Sequence, residues 1–308
     1  MEMPSLIDVK NTFKNVSNEK LRLPIILFIF FILSGCSKDP ISLIVPNKSI
    51  DITAPTLSYE DKLNLSYGSN PYQKYDLFLP NVRNTRNPVI IILHGGAWRL
   101  GDKSTFNFLV NDLKTKRVNC AIVNANYRLA VAPSWGVTYQ QQLDDIDKLL
   151  HKICADAKEL GIGTKFYLVG ISAGGHLSLL YTSIADQDHL VSGVCGVVPP
   201  VDLSSQPMRE GIIGADVQNI IGKTYVKAPE EYQRASPAFQ YLRRKVPTIL
   251  FYGGKDVLVT NEQCTSAKLL ISSRLNCNEH YLYPDQNHDW SAWSETSDRI
   301  ISFAERNL

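Results

Sequence analysis

Short, uninterrupted apolar runs alternate with longer runs whose apolar residues recur at helical spacing, from about Tyr72 to the C-terminus. "YQKYDLFLP" (72–80) alternates like a strand, whereas "NPVIIILHGG" (87–96) and "NCAIVNANY" (119–127) are continuous apolar runs. Continuous runs of that length suit parallel strands buried on both faces. Leu143, Ile146, Leu149, Leu150 and Ile153 predict a helix over 138–160, with Gly161 as its C-terminal cap. The alternation continues as strand "KFYLVG" (165–170), helix 173–185 and strand "VSGVCGVVPP" (191–200). It closes with strand "VPTILFYGG" (246–254), helix 261–272, strand "EHYLYP" (279–284) and a helix near 295–306. This order predicts the α/β class, with a mostly parallel sheet covered by helices on both sides. Ser204 to Phe239 fits neither period and is too long for a plain connection, so an irregular lid or substrate-binding insert is expected there.

The N-terminal pattern is different. Lys10, Lys14, Lys20 and Arg22 precede an uncharged stretch, "LPIILFIFFILSG", from Leu23 to Gly35. It is shorter than the roughly 20 apolar residues of a spanning helix but suits the apolar region of a secretory leader. It ends in "LSGC", Leu33 to Cys36, which resembles the lipobox of bacterial lipoproteins. The resemblance implies cleavage before Cys36 and lipidation of that cysteine, with an uncleaved signal anchor as the alternative. Glu2, Asp8 and Glu19 are atypical of a compact basic leader. The resulting division is a lipoprotein-type signal peptide at 1–35, a tether at 36–60 and a catalytic domain at 61–308. The expected location is the bacterial cell envelope, with the membrane reached through Cys36.

Composition narrows the function classes only slightly. The 308 residues are 44% hydrophobic and 20% charged with a net charge of +2, and no basic-aromatic interleaving suggests nucleic acid. Beyond Cys36 the cysteines are Cys120, Cys154, Cys195, Cys264 and Cys277, an odd number that leaves at least one free thiol. None has CxxC or zinc-ligand spacing, so neither metal nor cofactor is expected.

Chemistry concentrates in loops that follow the C-terminal ends of the strands, where an open α/β sheet places its sites. "GISAG" (170–174) puts Ser172 between a strand and a helix, the G-x-S-x-G context of a nucleophile elbow. Such a serine needs a base. Of the six histidines, His288 in "PDQNHDW" alone sits in a loop after a strand near the C-terminus. His94 opens "HGGAW", and His176 lies one turn after Ser172, packed beneath it. Asp256, after "TILFYGGK", completes the order Ser, Asp, His, while Asp285 and Asp289 lie too close to His288 in sequence to approach it easily.

With these residues the chain resembles α/β-hydrolase serine esterases of the hormone-sensitive-lipase-like and BD-FAE-like group. The resemblance extends to "YDLFLP" (75–80), "GDK" (101–103), "NYRL" (126–129), Ser236–Pro237 and "NHDW" (287–290), over about Tyr59 to Leu308. It implies an α/β-hydrolase fold, an eight-stranded, mostly parallel sheet flanked by helices with a small cap-like insert. It also implies a Ser172–His288–Asp256 triad, with an oxyanion hole formed by the N–H groups of Gly96, Ala97 and Ala173. Ala97 stands where the HGGG-type motif has glycine. Trp98 and Trp290 are candidate pocket residues. The expected substrate is a small molecule, a short-chain or small acyl ester. Polysaccharide acetyl or feruloyl esters and arylformamides are the enzymatic alternatives. A catalytically dead binding module is the non-enzymatic one.

Overall fold

A computed structural model describes residues 57–116, 118–131, 136–240, 246–272 and 278–307. The signal-peptide expectation, Cys36, most of the tether and Cys277 lie outside the described residues.

The strands are β1 (Tyr59–Ser66), β2 (Lys74–Pro80), β3 (Val89–Leu93), β4 (Ile122–Ala125), β5 (Phe166–Ile171), β6 (Val191–Val197), β7 (Thr248–Gly253) and β8 (Glu279–Tyr283). They form one eight-stranded sheet in the order β1-β2-β4-β3-β5-β6-β7-β8. β1 and β2 run antiparallel to their neighbours, and the strands from β4 onward are parallel.

The helices are α1 (Asn107–Thr115), α2 (Tyr139–Leu160), α3 (Ala173–Ile184), α4 (Gln206–Glu210), α5 (Gly214–Ile221), α6 (Pro229–Arg234), α7 (Pro237–Gln240), α8 (Asn261–Ser272) and α9 (Trp293–Asn307). Strand periodicity divides the core in two. Val89, Ile91 and Leu93 of β3 face one layer with Leu149 of α2 and Leu177 of α3. Ile90 and Ile92 face the other, with Leu109 and Val110 of α1 and Phe303 of α9. A strand sandwiched between two apolar layers has no polar face to show, which is why its sequence reads as an unbroken apolar run.

The α2 reading holds in detail. All five of its periodic residues are buried. The Thr138 backbone N–H donates to Gln141 Oε1 at 2.8 Å, and Gly161 ends the helix in the left-handed conformation at φ 67°.

Two expectations change. β1 begins at Tyr59, so the last two residues assigned to the tether, Tyr59 and Glu60, belong to the sheet. As an edge strand exposed along most of its length, "YEDKLNLS" lacks the apolar signal of its buried neighbours. The 204–239 insert is also not irregular: it carries α4 to α7. Val217, Ile220, Tyr232 and Ala235 of this insert are buried in the same core layer as α2 and α3. Helices this short bury too few positions to display a period.

A buried ion pair fixes the loop that follows β3. Lys103 Nζ lies 2.8 Å from Asp76 Oδ2 on β2 and donates to Asn64 Oδ1 at 2.9 Å. The Lys103 carbonyl accepts from Asn124 Nδ2 on β4 at 2.7 Å. Lys103→Met would leave the Asp76 carboxylate buried without its counter-charge. Urea denaturation should show an unfolding free energy lower by about 3–5 kcal/mol.

Candidate active site

The carboxyl ends of β3, β5 and β7 and the loop after β8 bring four sequence-distant segments together. β3 and β5 are hydrogen-bonded neighbours, with Leu93 paired to Gly170. The loops leaving them, His94–Leu100 and Gly170–Gly174, therefore begin side by side.

Ser172 sits at the turn from β5 into α3 with φ 51° and ψ −116°, a strained conformation for a residue with a side chain. Its N–H donates to the Val197 carbonyl at 2.8 Å and its carbonyl accepts from His176 N–H at 3.0 Å. The flanking glycines are required by contact. A Cβ on Gly170 would fall 2.3 Å from the Gly174 carbonyl oxygen, and one on Gly174 would fall 2.2 Å from that of Leu93. No side chain fits such spaces without moving backbone, so the elbow and the β3 loop touch main chain to main chain.

From this turn the predicted side chains align. Ser172 Oγ lies 3.0 Å from His288 Nε2, and His288 Nδ1 lies 2.8 Å from Asp256 Oδ2. An ionised carboxylate only accepts, so the imidazole proton resides on Nδ1 and Nε2 is free to accept from the serine hydroxyl. Asp256 is buried, and its other oxygen accepts from the N–H groups of Leu258 and Val259, both at 2.8 Å. These two bonds fix the carboxylate plane before histidine is considered. Asp285 points away into an exposed ion pair with Lys255, and Asp289 lines the cleft.

The backbone N–H groups of Gly96, Ala97 and Ala173 have no hydrogen-bond acceptor among the described residues. Ala173 opens α3, where an N–H has no intrahelical partner and the helix dipole favours negative charge. Gly96 lines the cleft, while the Ala97 side chain packs against the core. Gly96, Ala97 and Trp98 all have positive φ, at 114°, 47° and 60°. The two non-glycine residues together hold strain of order 1–3 kcal/mol each, which the surroundings must offset.

The cleft over Ser172 and His288 has a volume of about 380 Å³. Trp290 lines it, its indole N–H donating to Thr296 Oγ1 at 2.9 Å. Trp98 does not. It is 1% exposed and lies behind the β3 loop, its indole N–H donating to His176 Nδ1 at 3.1 Å. Its positive φ turns the side chain into the core instead of the cleft. The cleft also has an aromatic wall: Phe106 and Phe108 both pack edge-on against Trp293, with ring centroids 5.8 and 5.1 Å apart. The two phenylalanines escape sequence reasoning because "KSTFNFLV" has no strand-like run before it. Their spacing in a polar context just after "GDK" was the available signal.

Three other histidines are engaged elsewhere. His94 is buried against Tyr127 with centroids 4.4 Å apart, and its Nδ1 donates to the Gly95 carbonyl at 2.6 Å. His151 faces Asp188 at the surface, and His280 contacts Cys264 Sγ at 3.6 Å. Among the described residues no group of three His, Cys, Asp or Glu converges as a metal site, and Cys120, Cys154, Cys195 and Cys264 are free thiols.

Sheet order and elbow define the α/β-hydrolase fold. A truncated carbohydrate esterase from gut microbiota shares it with a TM-score of 0.68 at 17% identity, over 80% of this chain and 96% of that one. The BD-FAE family model matches residues 75–270, and the chain belongs to that family. Esterase LipC of Mycobacterium tuberculosis is 26% identical over 224 residues, covering 68% of this chain and 54% of LipC. The kynurenine formamidase of Salmo salar is 26% identical over 147 residues, covering 44% of this chain and 47% of that protein. The chain thus spans about half the length of these curated relatives.

Burial sets one pH response. His176 is enclosed completely, and desolvation lowers its pKa from 6.5 to about 4 against the opposing hydrogen bond to Ala235. The unfolded chain takes up this proton near 6.5, so stability is unaffected above that pH. It falls as pH drops from about 6.5 toward 4, by roughly 3 kcal/mol in full. Urea unfolding at the two ends of this window should show a smaller acid loss in His176→Asn than in the wild type.

Proposed function

We propose that the protein is a serine carboxylesterase that works through a covalent acyl-enzyme. The observation that carries this reading is the hydrogen-bonded chain from Ser172 Oγ through His288 to Asp256, beside three N–H groups without acceptors. Ser172 Oγ attacks the ester carbonyl carbon as its proton passes to His288 Nε2. The carbonyl oxygen becomes an anion facing Gly96, Ala97 and Ala173, each such donor being worth about 2.7–4 kcal/mol. His288 then hands its proton to the leaving alkoxide, which departs as an alcohol and leaves the acyl group on Ser172. Water repeats the sequence: His288 takes its proton, hydroxide adds to the acyl carbon, and the proton returns to Ser172 as the acid leaves. Asp256 holds the Nδ1–H tautomer and stabilises the imidazolium throughout.

A cleft of about 380 Å³ suits a short-chain or small acyl group. A second reading, polysaccharide acetyl or feruloyl esters, is favoured by the aromatic wall with Phe108 42% exposed. The likeness to a carbohydrate esterase supports it as well. Similarity to a kynurenine formamidase supports an arylformamide less directly, since it covers 44% of this chain.

Ser172→Ala should lower kcat on p-nitrophenyl acetate by roughly 10⁴-fold or more, and Asp256→Asn by about 10⁴-fold through the wrong tautomer. Equal turnover by wild type and Ser172→Ala would refute the serine mechanism. Absence of turnover of any ester, with no labelling of Ser172 by a fluorophosphonate, would favour a binding module.

We further propose that Cys36 is lipidated and tethers the catalytic domain, from about residue 61, to the cell envelope. The support is "LSGC" behind an apolar leader and a polar stretch long enough to act as a spacer. Cys36→Ala should abolish acyl labelling and change membrane fractionation. A variant that stays in membranes as an uncleaved chain would contradict the anchor.

A further inference from the structure

His176 is fully buried, does not line the cleft and takes no part in the Ser172–His288–Asp256 chain. Yet it lies one turn beyond the nucleophile on α3, and both its ring nitrogens are engaged. Nδ1 accepts from the Trp98 indole at 3.1 Å, and Nε2 lies 2.7 Å from the Ala235 carbonyl oxygen. An indole N–H only donates and a carbonyl only accepts, so the ring is neutral with its proton on Nε2. Burial acts in the same direction, disfavouring the charged form. One imidazole therefore joins three elements: the β3 loop through Trp98, the elbow helix that carries it, and the insert through the residue that ends α6.

The Trp98 end of this link is the part under strain. Ala97 and Trp98 both have positive φ, and the N–H groups of Gly96 and Ala97 have no acceptor among the described residues. Trp98 is held at three points. Its carbonyl accepts from Gln142 Nε2 at 2.8 Å and from Ala130 N–H at 2.9 Å, and its indole N–H donates to His176 Nδ1. The rings meet edge to face with centroids 5.3 Å apart. Packing alone would be met by a leucine at 176. Two buried polar bonds with fixed directions do something a leucine would not, which is to set the rotation of Trp98 relative to Ser172.

We propose that His176 is a positioning residue that, through Trp98, holds the Gly96 and Ala97 N–H groups in place for the oxyanion and couples that hole to the insert. The proposal rests on the esterase reading given above. His176 exchanges no proton with substrate.

The test compares wild type, His176→Asn, His176→Leu, Trp98→Phe and the Trp98→Phe/His176→Leu double variant on p-nitrophenyl acetate. Each single variant should lose kcat by roughly 30–100-fold with KM within about threefold, as expected for a displaced transition-state donor. His176→Asn keeps an acceptor for the indole and should lose less than His176→Leu. The pH at which kcat/KM half-rises should match wild type, since His288 still supplies the base. The double variant should be no slower than the slower single variant, because both changes break one link. Folded His176→Leu and Trp98→Phe with kcat within about threefold of wild type, or effects that multiply in the double variant, would overturn the proposal.

Should His176→Leu fail to fold, ¹H–¹⁵N spectra of the indole groups give an independent readout. The resonance absent in Trp98→Phe should be slow to exchange in wild type and faster in His176→Asn. Exchange at the rate of a solvent-exposed indole in wild type would overturn the link. This readout needs no turnover, so it stands apart from failure of the esterase reading, which appears as Ser172→Ala matching wild type.

Discussion

The site depends on main-chain contact between two loops that leave adjacent parallel strands. β3 and β5 are neighbours in the sheet, so "HGGAW" and "GISAG" emerge side by side and must share one narrow space. They fit because residue 174 carries no side chain: a Cβ there would lie 2.2 Å from the Leu93 carbonyl oxygen, while one on Gly170 would lie 2.3 Å from the elbow's own Gly174 carbonyl oxygen. That closeness places the Ser172 hydroxyl on one loop beside N–H groups on the other that have no acceptor among the described residues. Ala97, Trp98 and Ser172 on these loops have positive φ, strain that a rigid sheet and a dense core offset.

Rigidity around this contact comes from polar groups buried in pairs. Lys103 with Asp76 secures the end of the β3 loop to β2, and Gln142 reaches from α2 to the Trp98 carbonyl. Asp256 is fixed by two backbone N–H groups of its own turn. Each of these groups would be costly if left unpartnered, so each tolerates essentially one arrangement. The reactive side chains inherit their geometry from that intolerance. The insert joins the same system: Asp216 of α5 pairs with Arg99 of the β3 loop, and the Ala235 carbonyl receives the His176 proton.

The parts of this arrangement legible in sequence are those with a strong periodic or local signature. Buried parallel strands must be apolar on both faces, so β3 to β7 announced themselves, and a 22-residue amphipathic helix closed by a glycine cap did the same for α2. Ser172 and Asp256 were readable because each falls after such a strand, and His288 because it lies in the loop after the last strand, β8; the structure brings all three within hydrogen-bond distance. The edge strand β1 and the helices of the insert were not, since neither buries enough positions to leave a period. Trp98 illustrates the deeper limit. Its position beside the oxyanion motif suggested a cleft residue, but the direction of a side chain follows from φ, and nothing local in "GGAWR" states that φ is positive at tryptophan. His176 likewise read as packing, because its two partners are separated from it by 78 and 59 residues.

The central claim is that Ser172 carries the acyl group between two half-reactions. Rapid quenching during turnover of p-nitrophenyl acetate, followed by mass spectrometry of the digested protein, observes that state directly. Acyl transfer through Ser172 should give one acetyl group, confined to the peptide containing Ser172, appearing in step with a burst of p-nitrophenol. An acetyl group on another residue, or steady turnover with no acetylated protein when deacylation is the slow step, would contradict it.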